Sequence, residues 1–309
     1  MREAAKRLGY RPNAIARGLK TGRSGLIAMI LPADVDRSAQ ELVFELLVGL
    51  SSALSKKGFR FLLHAADSAN DVIKAYQDLY RGAGVDGFIV IEPQRSDPRI
   101  CFLLEGNIPH IVHGKDPAQV HPFVDVDNYQ LAYRLTEALV MAGHKRIAFL
   151  NGLETRSFAE ARAAGYRDAL AAANISPRSH FHSFGAQTPD RGHAALRQLM
   201  QADQAPTAVI AGNTMIARGI YNAAAELGLS IPGDLSVLAH DDDLSRYPAA
   251  GFTPALGGSR SPLANAWQRL ADALAGHFSE DDRAAQNYLL EVTYHLDSGS
   301  IAGPRDDQA

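Results

Sequence analysis

The chain of 309 residues is 46% hydrophobic and 21% charged, with a formal net charge of −3. Such a chain can bury a core large enough for two lobes and is not a disordered polyelectrolyte. No apolar run approaches the roughly 18 residues of a membrane span. The single cysteine, Cys101, excludes an intrachain disulfide framework, and no signal-peptide pattern precedes the first apolar run, so a cytoplasmic protein is expected.

The first feature in chain order is basic. Residues 1–24, MREAAKRLGYRPNAIARGLKTGRS, hold seven Lys and Arg side chains against Glu3 alone, a local charge of +6 in an acidic chain. That asymmetry suggests a polyanionic partner for this segment only. Residues 2–8 are helix-prone, Pro12 breaks the run, and Asn13 caps a second short helix beginning at Ala14. Gly18 and Gly22 weaken that helix by about 1 kcal/mol each, so it is expected to fold only on a partner. Arg17, Lys20 and Arg23 recur every three residues and suit phosphates on adjoining turns, while Leu19 is an apolar group placed to enter a minor-groove base step. The alternative on residue types alone is a solvated linker whose charges do nothing specific.

From Leu26 onward, short apolar runs alternate with amphipathic segments of helical period, the pattern of parallel βαβ units. Strands are predicted at 26–32 (LIAMILP), 59–66 (FRFLLHAA), 87–93 (GFIVIEP), 110–114 (HIVHG) and 123–127 (FVDVD), with helices over 39–57, 70–81 and 97–105. The cycle then restarts with strand 145–152, helix 158–173, strand 180–184, helix 191–200, strand 208–213, helix 215–227 and strand 236–242. The restart predicts an α/β chain of two doubly wound, Rossmann-like lobes with parallel sheets. The last helix, 262–277, and the apolar run 288–296 are to be shared between them.

One motif is a decoy. GAGVDG at 82–87 matches GxGxxG, yet it follows a helix and precedes a strand, the reverse of a dinucleotide site, and reads as a helix end and turn. The sequence holds no GxxxxGK[ST], HExxH or GxSxG, and its paired histidines lack a cysteine or carboxylate cluster. Neither an enzyme, nor a metal site, nor a cofactor is expected.

In open α/β sheets a ligand sits beyond the carboxyl ends of the strands, so polar residues just after each strand are the candidates. These are Asp34, His113, Arg156, Arg162, Asn213 and Asp241, with Phe158 or Phe184 to cover an apolar face. A plainer reading stands beside each. Asp241 to Asp243 would be a solvated charge run, and Arg156 and Arg162 would pair with Glu154 or Glu160. Asn213 would cap the helix at Thr214, which does not exclude ligand contact, and His113 would be a satisfied core histidine.

The stretches AAKRLGYRPNAIARGLKTGRSGLIAMILP, FVDVDN, GHKRIAFLNG, ARAAGYRDAL, PTAVIAGNTMIARGIYNAAAELGLSIPGDLSVLAHDD and LGGSRSPL follow one another as in the LacI/GalR family of bacterial transcriptional regulators, which the chain resembles over nearly its whole length. The resemblance implies a periplasmic-binding-protein-like core of two lobes joined by three crossovers, a homodimer, and control of operator DNA binding by a small molecule in the cleft. It implies residues 1–23 as the end of a helix-turn-helix headpiece plus hinge helix, a first lobe of 24–127 with 259–286, and a second of 128–258 with 287–309. Arg162, Asn213 and Asp241 fall on positions that commonly touch effector, His113 more loosely. The family's first two headpiece helices, including the recognition helix, have no counterpart before Met1, and a truncated headpiece is the expectation; operator DNA is then a partner of the full-length form. Gly257 and Gly258 stand where the family more often has threonines, which predicts a looser crossover. A sugar is the expected effector, an α-glucoside among the candidates, with a nucleobase as the alternative. The rival reading is a periplasmic-type solute-binding protein, or a sensor without DNA binding.

Overall fold

The computed structural model describes residues 23–32, 40–82, 84–278 and 287–304. The first half runs β1 (Leu26–Pro32), α1 (Gln40–Lys56), β2 (Arg60–Ala66), α2 (Val72–Arg81), β3 (Gly87–Ile91), α3 (Pro98–Glu105), β4 (His110–His113) and β5 (Phe123–Asp125). The cycle then repeats as α4 (Asn128–Met141), β6 (Ile147–Leu150), α5 (Ser157–Ala172), β7 (His182–Ser183), α6 (Pro189–Leu199), β8 (Ala208–Ala211), α7 (Thr214–Glu226), β9 (Ser236–Asp241) and β10 (Gly257–Arg260). Helix α8 (Leu263–His277) and strands β11 (Tyr288–Leu289) and β12 (Thr293–His295) complete it.

Two six-stranded sheets result, ordered β11-β5-β4-β3-β1-β2 and β12-β10-β9-β8-β6-β7, with only β12 antiparallel to its neighbour. Each has apolar helices on both faces, which is why central strands such as β8, AVIA, are buried throughout. Residues of α1 and α8 form the core on one face of the first sheet, and residues of α2 and α3 that on the other. In the second lobe α4 and α5 cover one face, α6 and α7 the other. Helix starts are fixed by caps placed shortly after strands or loops: Asp97, Asp127, Thr188 and Asn213 each accept a backbone N–H from the first turn.

Four differences from the expected fold have physical causes. The expected strand 180–184 shrinks to β7, preceded by a 3-10 turn over Ser179–Phe181, because this edge strand pairs with β6 alone. The run 288–296 splits: Tyr288 aligns with Val124 in the first sheet, whereas Tyr294 aligns with Ser259 in the second. Arg260 aligns with Asp241 in the second sheet as well, so the chain recrosses after residue 260 and again between 289 and 293, rather than at 258/259 and 286/287. Nor is the glycine pair loose. Gly257 and Gly258 are buried in β10, Gly258 is paired on both sides, and a Cβ on it would collide with the Ala239 carbonyl. Gly82 ends α2 and Gly84 sits at φ +64°, as expected of a helix end and turn rather than a dinucleotide site. No helix among the described residues is long and apolar enough to cross a membrane.

Candidate functional site

The carboxyl ends of both sheets face a cleft of about 890 Å³, solvent at its mouth included. The first lobe supplies Glu92 after β3, His113 at the end of β4, Asp125 at the end of β5, and Trp267 from α8. The second supplies Phe158 and Arg162 from α5, Asn213 at the cap of α7, and His240 and Asp242 at the end of β9. Asn128 and Ser261 enter from the crossovers.

Arg162 is the hub. It is only 6% exposed, donates from Nε to Asn128 Oδ1 (2.8 Å) and from Nη1 to the Gly212 carbonyl (2.9 Å), and stands one helical turn from Phe158, whose ring centroid is 5.1 Å away. Asn128 donates in turn to Asp125 Oδ1 (3.0 Å), so a buried chain of groups runs from the end of β5 across the first crossover to α5. Burial lowers the Arg162 pKa, while Asp242 and Asp125 act to restore it. For Asp242, burial acts to raise the pKa but is outweighed by His240, with its Nε2 3.3 Å away, and then by Arg162, so the carboxyl stays below its usual range. His240 is held by Ser259 Oγ at 3.0 Å. Burial pushes His113 down to about 4, which keeps it neutral against the Trp267 indole, 5.2 Å between centroids.

Burial also pushes Asp125 up to about 6, against the opposing effects of the Val126 N–H, Arg162 and Asn128. Its folded-state pKa lies above the ordinary value of 3.8, so the native state holds the proton more tightly and loses stability as pH rises from about 4 to 6. Asp125→Asn is therefore expected to stabilise the protein at pH 7.5 by roughly 1–3 kcal/mol and to change little near pH 4. Urea unfolding of both proteins at the two pH values measures this. A gain of equal size at both would assign it to packing instead.

Opposite the crossovers, one lip of the first lobe grips α5. Glu92 (φ +46°) and Ser96 (φ +55°) bracket it, and Asp116 accepts from the Ser96 and Asp97 backbone amides. The Ser157 N–H donates to the Pro93 carbonyl (2.9 Å), Arg156 lies 3.5 Å from Glu92, and Arg95 pairs with Glu160 at 3.0 Å. Opening the cleft would break these ties. Arg95 and Glu160 are both exposed, so solvent screens the pair. Arg95→Glu or Glu160→Arg should each shift the emission of Trp267, the sole tryptophan of the sequence, to the red, and the double reversal should return it. Identical spectra in all four proteins would show that the pair does not influence closure.

Of the residues expected at the site, His113, Phe158, Arg162 and Asn213 line the cleft. Asn213 does two things: Oδ1 caps α7 through the Ile216 N–H, while Nδ2 has no partner among the described residues. Three expectations are corrected. Asp241 faces away, accepting the Asp243 N–H and lying 3.8 Å from Arg260, because successive strand residues alternate and His240 and Asp242 share the cleft side. Arg156 supports Glu92 from behind rather than lining the space. Phe184 packs edge-on against His182 beside the edge strand. Asp34 and the hinge residues Asn13, Arg17, Leu19 and Lys20 lie outside the described residues. Arg23, which is described, sits 5.1 Å from the Phe278 ring and donates to its carbonyl. The sequence reading passed over Glu92, Asp125, Asn128, His240, Asp242, Ser261 and Trp267. Strand alternation puts Asp242 on the same face as His240, but only the packing of His240 against Ser259 shows that this face is the cleft side, and nothing local marks Trp267.

The family model described as periplasmic binding proteins and the sugar binding domain of the LacI family matches residues 26–252. The chain belongs to the LacI family. It is 32% identical over 276 residues to the HTH-type transcriptional regulator AglR of Rhizobium meliloti (strain 1021), covering 89% of this chain and 77% of that protein. To the HTH-type transcriptional regulator CelR of Thermobifida fusca it is 31% identical over 250 residues, 78% of this chain and 72% of that one. Among solved structures, a transcriptional regulator CelR–cellobiose complex superposes with a TM-score of 0.76 at 26% identity, over 97% of this chain and 89% of that one. A regulatory protein of the LacI family from Chloroflexus aggregans gives 0.75 at 25% identity, over 87% and 96%. These relatives are regulators and not enzymes, and this family member is a ligand-responsive transcriptional regulator.

Proposed function

We propose that this regulator takes a sugar into the cleft and that the bound sugar alters its hold on operator DNA in the cytoplasm. The observation behind the reading is that Asp242 and Arg162 meet the aromatic faces of Phe158 and Trp267 around one cleft. Vicinal hydroxyls are donors and acceptors together, which a carboxylate and a guanidinium satisfy in pairs, while the C–H faces of the ring suit aromatic cover. The fold shared with CelR, solved with cellobiose, supports the same class of ligand.

Residues 1–23, with Asn13, Arg17, Leu19, Lys20 and Arg23, supply the DNA-facing end in this reading. The ligand shifts the lobes only through its differential affinity for their two arrangements; a hundredfold preference supplies about 2.7 kcal/mol. Arg162 couples the ligand to the first crossover through Asn128 and Asp125. A homodimer belongs to the reading too, with α1 as part of its contact: Phe44 and Val48, one turn apart, are 63% and 55% exposed. Sedimentation equilibrium at micromolar concentration should give a dimer, and a monomer alone would exclude it.

The deciding experiment is thermal unfolding and calorimetry against monosaccharides, disaccharides, nucleobases and amino acids. A ligand at 100 times its Kd stabilises the fold by about 2.7 kcal/mol. Selective binding of a sugar is expected. Binding of a nucleobase or amino acid with silence from every sugar overturns the reading.

A further inference from the structure

We infer that the cleft selects uncharged sugars and rejects their phosphorylated counterparts. The inference rests on the sugar reading above and concerns what the unused groups of the site can recognise. Among the described lining residues the only lysine or arginine is Arg162, against three carboxylates, Glu92, Asp125 and Asp242. Arg162 is already engaged, through Nε to Asn128 and Nη1 to Gly212, with Asp242 and Asp125 in electrostatic range. Arg156 and Arg99 stand behind the Glu92 lip, but neither lines the space. Arg156 faces Glu92, and Arg99 is bonded to Asp97 and to the carbonyls of Ile91 and Glu92.

Apart from the Asp242 carboxylate and Nη2 of Arg162, the polar groups left over are neutral. Ser261 Oγ is buried without a partner in a residue only 4% exposed, at the junction of β10 and α8 on the cleft wall. Asn213 Nδ2 and the Gln187 side-chain amide have no hydrogen-bond partner among the described residues, and His113 is neutral. A hydroxyl, an amide pair and an imidazole satisfy sugar hydroxyls. None of them compensates a phosphate, which would exchange its water for a cleft with an excess of carboxylates. Selectivity here comes from the repulsive element as much as from the attractive one.

The test uses matched pairs: glucose with glucose 6-phosphate, and trehalose with trehalose 6-phosphate, titrated at constant ionic strength and followed by calorimetry. Maltose and cellobiose serve as further neutral probes. Trp267 emission, from the only tryptophan in the chain, places any binding in the cleft. At least one neutral sugar should bind and shift that emission, with both phosphorylated probes at least 30-fold weaker. Asp242→Asn should narrow the gap at least fivefold by weakening the neutral sugar more than the phosphorylated one, a change of selectivity that a merely damaged fold would not give. A phosphorylated probe binding as tightly as its neutral partner overturns the inference and leaves the sugar reading standing. Silence from every sugar overturns both.

Discussion

Asp242→Asn is expected to weaken effector binding by about 30- to 1000-fold, whereas Asp241→Asn stays within about threefold. The two carboxylates are adjacent in sequence and opposite in role. Asp242 is 21% exposed, bonded to His240 and in electrostatic range of Arg162 and His113, so it presents a charged acceptor to the cleft. Hydrogen bonds to a charged group contribute about 1.5–3 kcal/mol. A carboxylate can accept from two vicinal hydroxyls at once, so replacing it by an amide costs about 2–4 kcal/mol of binding. At 1.4 kcal/mol per tenfold, 2–4 kcal/mol spans the stated range. Asp241 instead faces Arg260 and the Asp243 amide. Calorimetry of both variants with the bound sugar separates the cases. An equal loss in both would indicate general damage to β9, and no loss in Asp242→Asn would remove the carboxylate from the site.

That contrast shows what the sequence made legible and where it stopped. The two βαβ cycles are written in the alternation of apolar runs and helical periods, and the rule that ligands sit beyond strand ends points to the end of the sheets where the cleft lies. Register was not legible in HDDD, because three acids in a row conceal which parity faces inward; the deciding fact is that His240 is buried beside Ser259. Arg162 and Phe158 are separated by one turn, so helical periodicity pairs them, while Arg156 begins the helix and meets Glu92 on the other lobe, a contact no local pattern encodes. Phe184 follows an edge strand that ends at Ser183 and packs against His182 instead of lining the cleft. Trp267 reaches the site through tertiary packing alone. A Cβ on Gly49 would lie 2.8 Å from its Nε1, so the glycine in α1 is what leaves room for the indole.

Gly219→Ala should be among the most damaging single methyls in the second lobe, costing about 3 kcal/mol or more. Helices α6 and α7 touch backbone to backbone through Gly192 and Gly219. A Cβ on Gly219 would run into the Pro189 carbonyl oxygen and lie 2.6 Å from the His193 nitrogen, and one on Gly192 would meet the Ile216 carbonyl. Alanine is the better helix former by about 1 kcal/mol, so propensity alone predicts stabilisation. Packing reverses the sign because the obstructing atoms are backbone and cannot rotate away. Overpacking of a close contact costs about 1–3 kcal/mol when side chains can yield, and more when the two helices themselves must separate. The expected fall in Tm is about 6–12 °C. Asn222→Ala, on the exposed face of the same helix, should change stability by less than about 0.5 kcal/mol. Separating α6 from α7 also moves the Asn213 cap at the start of α7, so effector affinity should fall together with stability in Gly219→Ala and in Gly192→Ala alike. Differential scanning calorimetry of the three variants decides the matter: a Gly219→Ala protein as stable as the Asn222→Ala control would mean that the helices are not in the close contact described.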